Sequence, residues 1–227
     1  MGYRWSLKAG AIGVAPVLSS GIAQANLVGN GSFESFTGVF GGDGGAQLTP
    51  ASATLTDWTV LGDEIAVLKT PNVYQLTAAD GVNFLDLTGY TNAGFPKGVT
   101  QMISGLSIGQ SYTLTFVTGV DNGSTVGPYG GPISGTASFG GQSNPFTDSD
   151  SASGNQWHTF HFNFTAIATS EALSIVANTV PPGHDYFGLD NVDLEPGVVG
   201  NVPEPATLSL FGMGLVGMAL RRCLRRR

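Results

Sequence analysis

Tyr112-Thr113-Leu114-Thr115-Phe116 alternates apolar and polar residues one by one, and so does Phe160-His161-Phe162-Asn163-Phe164. A period of two places Tyr112, Leu114 and Phe116 on one face of an extended strand; a helix would scatter them. Phe160, Phe162 and Phe164 share a face in the same way, opposite Trp157, Thr159 and Asn163. Leu85 with Leu87 and Leu173 with Ile175 repeat the pattern. Further strands are expected in Leu55–Leu61, Ile65–Leu68, Val99–Ile103, Gly135–Phe139 and Tyr186–Leu194. Asp80-Gly81, Ser104-Gly105, Ile108-Gly109, Asp121-Asn122-Gly123 and Pro181-Pro182-Gly183 supply the turns between them. About ten short strands without a helical period predict an all-β fold, a two-sheet antiparallel β-sandwich. Gly38–Ala53 and Gly140–Gln156 read as loops. In the second, Asp148-Ser149-Asp150 opens like a calcium loop, but Ala152 and Ser153 stand where an EF-hand needs an oxygen ligand and a glycine. A solvated loop is expected there.

The two ends have a different character. Met1–Ala25 carries Arg4 and Lys8, a mostly apolar Ala9–Ile22 and the small-residue site Ala23-Gln24-Ala25. This is the pattern of a secretory signal cut after Ala25; an uncleaved N-terminal anchor is the alternative. At the other end, Val202-Pro203-Glu204-Pro205 is followed by the uncharged run Ala206–Leu220 and by Arg221, Arg222, Cys223, Leu224, Arg225, Arg226 and Arg227. As a helix the run spans about 22 Å, short for a hydrocarbon core of about 30 Å. It predicts one short transmembrane helix with its arginines on the cytoplasmic side. A buried amphipathic helix would need a polar face, and only Thr207 and Ser209 offer one. The expected organisation is a signal peptide at 1–25, a β-sandwich domain at 26–200 and a tail at 201–227.

Within 26–200 the only basic residues are Lys69 and Lys97, against fifteen acidic ones, a formal charge of −13. Phosphate backbones would be repelled, so nucleic acid is excluded as a partner, while divalent cations are permitted. Cys223 is the single cysteine, so the body is exported without disulfides.

The tail's three parts, with a literal Pro203-Glu204-Pro205, resemble the PEP-CTERM sorting signal of exopolysaccharide-producing Gram-negative bacteria. The resemblance implies recognition and processing by a membrane-embedded exosortase. The inner membrane would hold the chain through the C-terminal helix until then, and the body would pass to the cell surface or the extracellular matrix. The sorting residues would be Val202, Pro203, Glu204, Pro205, Arg221, Arg222, Arg225, Arg226 and Arg227.

In the body, three stretches carry a second resemblance. They are Asn26-Leu27-Val28-Gly29-Asn30-Gly31-Ser32-Phe33-Glu34, the run Asp80–Leu87 with Gln101–Leu106 and Gly109–Phe116, and Gly188-Leu189-Asp190-Asn191-Val192-Asp193-Leu194. They look like the galactose-binding-like jelly rolls, which include many bacterial carbohydrate-binding modules and a plant cell-wall domain family. That superfamily often holds a structural Ca²⁺ where its first and last strands meet, and Glu34 and Asp190 match such ligand positions. The rival reading is that both carboxylates cap strand ends by accepting backbone N–H groups.

A sugar site would need aromatic rings on loops with hydrogen-bonding groups around them. Tyr74, Tyr90, Phe95 and Tyr129 are the candidate rings, with Asn92, Asn122 and Gln101 as polar partners, whereas Trp58, Trp157 and Tyr112 are expected in the core. Catalysis finds little support. His158 and His161 point to opposite faces of a strand, which opposes a metal pair, and no G-x-S-x-G elbow occurs. Asp63-Glu64 is expected to be a solvated acidic turn. The sequence thus predicts an exported, non-catalytic module that binds polysaccharide in an exopolysaccharide or biofilm layer. A self-assembling structural module and a cryptic hydrolase are the alternatives.

Overall fold

The computed structural model describes residues 26–91, 94–122, 129, 131–149, 154–179 and 186–197. The predicted signal, Asn92 and the tail lie outside the described residues, as does the side chain of Asn122. Eleven strands and no helix occur among the described residues: β1 (Gly45–Leu48), β2 (Thr59–Leu61), β3 (Ile65–Lys69), β4 (Asn83–Asp86), β5 (Lys97–Ser104), β6 (Ser111–Asn122), β7 (Ile133–Phe139), β8 (Gln142–Asp148), β9 (Gly154–Thr165), β10 (Ser170–Thr179) and β11 (Gly188–Pro196). They form two antiparallel sheets, ordered β1-β3-β4-β11-β6-β9 and β2-β5-β10-β7-β8. The sandwich predicted from the alternation is the fold.

β6 and β9 pair over their full lengths, with Tyr112 opposite Phe164, Leu114 opposite Phe162 and Phe116 opposite Phe160. Tyr112, Leu114, Phe116 and Phe164 are buried in the main core with Leu173, Ile175, Leu189 and Leu194. Phe160 and Phe162 face the same way but are only half-buried. The reason is position: β9 is an edge strand of the larger sheet, and at that edge the rings are covered chiefly by Phe146 of β8, whose ring lies 5.0 Å from that of Phe160. Trp58 and Tyr112 are core residues as expected, whereas Trp157 is half-buried.

Two expected loops contain strands. β1 lies inside Gly38–Ala53, and β8 with the start of β9 lies inside Gly140–Gln156. Gly140 and Gly141, at φ 57° and 80°, turn β7 directly into β8, so that Phe139 pairs with Gln142. Two consecutive residues with positive φ make the tight hairpin turn that matches strand twist, and glycine adopts it without cost. The polar character of β8 comes from its place at a sheet edge. Asp148 at its end is not solvated; it is 3% exposed, accepts a hydrogen bond from the Thr118 hydroxyl and lies 2.7 Å from His158 Nδ1. His161 on the other face is exposed, as its register predicts.

The opening motif docks on the last strand. Leu27 N–H donates to the Leu194 carbonyl at 3.0 Å, and Val192 N–H donates to Gly31 at 2.9 Å. A side chain at Gly31 would meet the Val192 carbonyl at 2.0 Å, so only glycine permits this approach. A bulge between Asp190 and Asp193, with Asn191 at φ 49°, frees Val192 from the β11–β6 ladder for this contact.

Candidate functional site

Along β3 and β4 the alternation runs inward through Val67 and Leu85 and outward through Leu68 and Phe84. The outward residues join Leu76 and Tyr186 in a second apolar cluster on the far face of the larger sheet. Tyr74, Tyr129 and Trp157 pack against it. This face is therefore roofed by the connection between β3 and β4, and a pocket opens beside the roof.

The pocket has a volume of about 170 Å³. Tyr74, Tyr90 and Tyr129 line it, with Ala66, Leu68 and Asp86 contributed by the sheet. The rings of Tyr74 and Tyr129 meet edge to face at 6.0 Å. The hydroxyls of Tyr74 and Tyr90 both donate to Asp43 Oδ2, each at 2.8 Å. One carboxylate thus holds two rings from two different loops. Burial opposes the charge of Asp43, but the Gly45 N–H and the hydroxyls of Tyr90 and Tyr74 outweigh it and hold the carboxyl below its ordinary value. Burial, then the hydrogen bond to Asp43 and its charge, push Tyr74 up to about 12 and raise Tyr90 as well.

The loop carrying Tyr90 is fixed from below. Glu64, which the sequence suggested would be solvated, is 4% exposed and pairs with fully buried Lys97 at 2.8 Å. Glu64 also accepts Tyr90 N–H at 3.1 Å, Thr91 N–H at 2.9 Å and the Thr91 hydroxyl at 2.8 Å. Lys97 Nζ donates to the Thr88 carbonyl at 2.8 Å and to the Thr91 carbonyl. Burial works against the Glu64 charge, but Lys97, Tyr90 and Thr91 overcome it and leave the carboxyl below its usual range. Residues 88–91 therefore present Tyr90 on a saturated polar platform. Preorganisation of this kind lowers the ordering cost of binding.

Asp86 is 6% exposed. Its Oδ1 accepts Thr88 N–H at 2.9 Å, the Thr88 hydroxyl at 2.7 Å and Phe187 N–H at 3.1 Å. Burial raises its carboxyl to about 7 despite these bonds, and the charge of Glu64 adds to the rise.

The other expected site residues lie elsewhere. Phe95 packs against the main core, with its ring 5.5 Å from Lys97 Nζ. Gln101 is buried and bonds to Gly29 N–H at 2.8 Å, the Gly29 carbonyl at 2.9 Å and the Asp57 carbonyl at 3.1 Å, a structural role. Glu34 Oε1 accepts the N–H groups of Val82 and Asn83, both at 2.7 Å. Asp190 Oδ2 accepts those of Ala79 and Asp80 at 2.8 and 2.9 Å, and its Oδ1 that of Asn191 at 2.7 Å. Both carboxylates thus bind the segment 79–83. Burial raises Asp190 to about 7 in spite of these donors. These contacts are the ones the strand-capping reading of the two carboxylates expects. No group of three or more His, Cys, Asp or Glu able to hold a metal occurs among the described residues.

Three comparisons bear on the chain. Residues 201–227 match the PEP-CTERM protein-sorting motif. The chain is 29% identical over 185 residues to halomucin of Haloquadratum walsbyi; this covers 80% of the chain and 2% of that relative's length. Among solved structures, the enzymatically active domain of bacteriophage CBA120 tailspike protein 4 aligns with 76% of this chain and 21% of that one, at 13% identity and a TM-score of 0.48. A CBM4 structure aligns with 74% and 99%, at 15% identity and 0.41. The CBM22-1 xylan-binding domain from Paenibacillus barcinonensis Xyn10C aligns with 66% and 92%, at 15% identity and 0.38.

Residues 201–227 are thus the sorting tail of an exported, exosortase-processed surface protein.

Proposed function

We propose that the chain is a non-catalytic sugar-binding module delivered by its sorting tail to an exopolysaccharide layer of a Gram-negative envelope. The observation that carries the binding reading is the convergence of Tyr74, Tyr90 and Tyr129 on one pocket with Asp86. Aromatic rings supply flat apolar faces, and carboxylates accept sugar hydroxyls. The pocket is below the range of about 300–1,000 Å³ typical for drug-sized ligands, which favours a single sugar ring or a chain end. The test is isothermal titration of the protein with a panel of monosaccharides and oligosaccharides. Binding that is lost in Tyr90→Ala, with the melting temperature kept, supports the site. Retention of every sugar affinity in that variant refutes it. For the tail, the mature protein from an exosortase-competent host is expected to end near Pro203-Glu204-Pro205. A product still ending at Arg227 shows a plain anchor instead.

Glu34 and Asp190 act in this reading as staples that hold segment 79–83 against the opening motif and β11. A calcium ion at that place would have to share oxygens that already accept backbone N–H groups. Chelator titration decides between the two, as described below.

A further inference from the structure

The tyrosine pocket is unbalanced in charge. Asp86 is buried, and its Oδ2 accepts no hydrogen bond from the described residues. The ion pairs among the described residues are Lys97 with Glu64 and His158 with Asp148, and neither includes Asp86. Lys97 cannot serve it, because its ammonium is already bound by Glu64, Thr88 and Thr91. Lys69, the other lysine of the body, lies 5.1 Å over the Phe40 ring. A buried carboxylate without a counter-ion is costly, and a cation entering beside it relieves that cost. The walls favour the same charge. Tyrosine faces attract cations, and a group enclosed by several rings next to a carboxylate is the usual setting for an organic ammonium. Behind the rings, Asp43 accepts the hydroxyls of Tyr74 and Tyr90 and adds a second negative charge near the pocket.

We infer that this pocket selects a sugar carrying a free ammonium group, an amino sugar, over its neutral and acidic counterparts; the inference rests on the sugar-binding reading of the same pocket. The ammonium sits against Asp86 and the ring faces, and the sugar hydroxyls remain for the rim. An acidic sugar meets the Asp86 carboxylate, with the charge of Asp43 behind the rings, and is excluded.

The experiment is calorimetric titration of the full chain, near neutral pH and at fixed ionic strength, with glucosamine, N-acetylglucosamine, glucose, glucuronate and choline. Glucosamine is expected to bind about tenfold more tightly than N-acetylglucosamine, with glucuronate weakest. Asp86→Asn is expected to bring the ratio close to one. Asp57→Asn removes an exposed acid away from this pocket and controls for the general negative field, so its ratio is expected to stay unchanged. Equal affinity for the free and acetylated amine overturns the ammonium inference and leaves sugar binding standing. Failure of every sugar overturns the sugar-binding reading. Choline binding in that case keeps the ammonium site and overturns its assignment to a sugar.

Discussion

Lys97→Met tests the platform beneath Tyr90. The substitution keeps an unbranched apolar stem one atom shorter and removes the charge. Glu64 then stays at 4% exposure with no cation within reach, and the carbonyls of Thr88 and Thr91 lose their donor. Breaking a buried pair by removing one partner costs about 3–5 kcal/mol. For a domain of this size each kcal/mol shifts the melting temperature by about 2–4 °C, so a fall of roughly 6–20 °C is expected. Glu64→Gln together with Lys97→Met removes the stranded charge, and the double variant is expected to recover a large part of the loss. The assay is thermal unfolding by circular dichroism of the wild type, both singles and the double. The same variants are then titrated with whichever sugar binds the wild type, because a loosened 88–91 loop weakens ligand affinity beyond any effect on stability. A melting temperature within about 2 °C of wild type in Lys97→Met refutes the argument, since no relaxation within a closed platform could hide so large a term. Loss of stability without recovery in the double variant would show that packing around Lys97, and not its charge, carries the effect.

Phe164→Ala is expected to cost about 3–5 kcal/mol in urea unfolding, and Phe162→Ala no more than about half of that, because only Phe164 is fully enclosed. Chelator is expected to leave the melting temperature unchanged, whereas Asp190→Ala lowers stability by about 3 kcal/mol or more through three orphaned N–H donors; a chelator-induced drop that Asp190→Ala abolishes would instead assign calcium there. Asp86 titrates from 3.8 unfolded to about 7 folded. The folded state thus disfavours its ionised form, and its stability contribution is full below the unfolded value and is lost as pH rises through 7. Between pH 8 and pH 5 stability is expected to rise by roughly 3 kcal/mol from this group, and Asp86→Asn to remove that share of the slope while Asp190, also raised to about 7, keeps its own.

The core of the sandwich was legible because β10, the first half of β6 and the later part of β11 bury one face and leave the other more open, and alternation records that directly. β8 was not, since an edge strand with Gln142, Ser143, Asn144 and Pro145 has little to alternate; its signal was the Gly140-Gly141 turn. Of the candidate sugar residues, Tyr74, Tyr90 and Tyr129 come together although 55 positions separate the outer two. The loop aromatics could be named from composition, but their meeting depends on strand order. Glu64 and Lys97 were missed for a related reason. Neighbours in sequence make Asp63-Glu64 look like a turn, and the partner that buries Glu64 is 33 residues away. A single lysine after Pro96, opening the otherwise uncharged β5, was the available hint. Phe95 misled because its flanking Gly94 and Pro96 suggest a surface loop, while its ring in fact covers the core.

β11 is last in sequence but sits in the middle of the larger sheet, between β4 and β6. A chain that crosses a membrane N-terminus first delivers β1 to β10 before the strand that joins the two halves of that sheet. Until then β1-β3-β4 and β6-β9 are separate ribbons with open edges, and Leu27 and Gly31 lack the β11 partners on which the opening motif docks. Assembly must therefore wait for the end of translocation, the moment at which the sorting tail itself arrives. Long-range closure of this kind is slow compared with local pairing. The timing puts the sorting machinery in the presence of a body that is still completing its fold, and leaves a defined target for a folding chaperone: the open edges of β4 and β6.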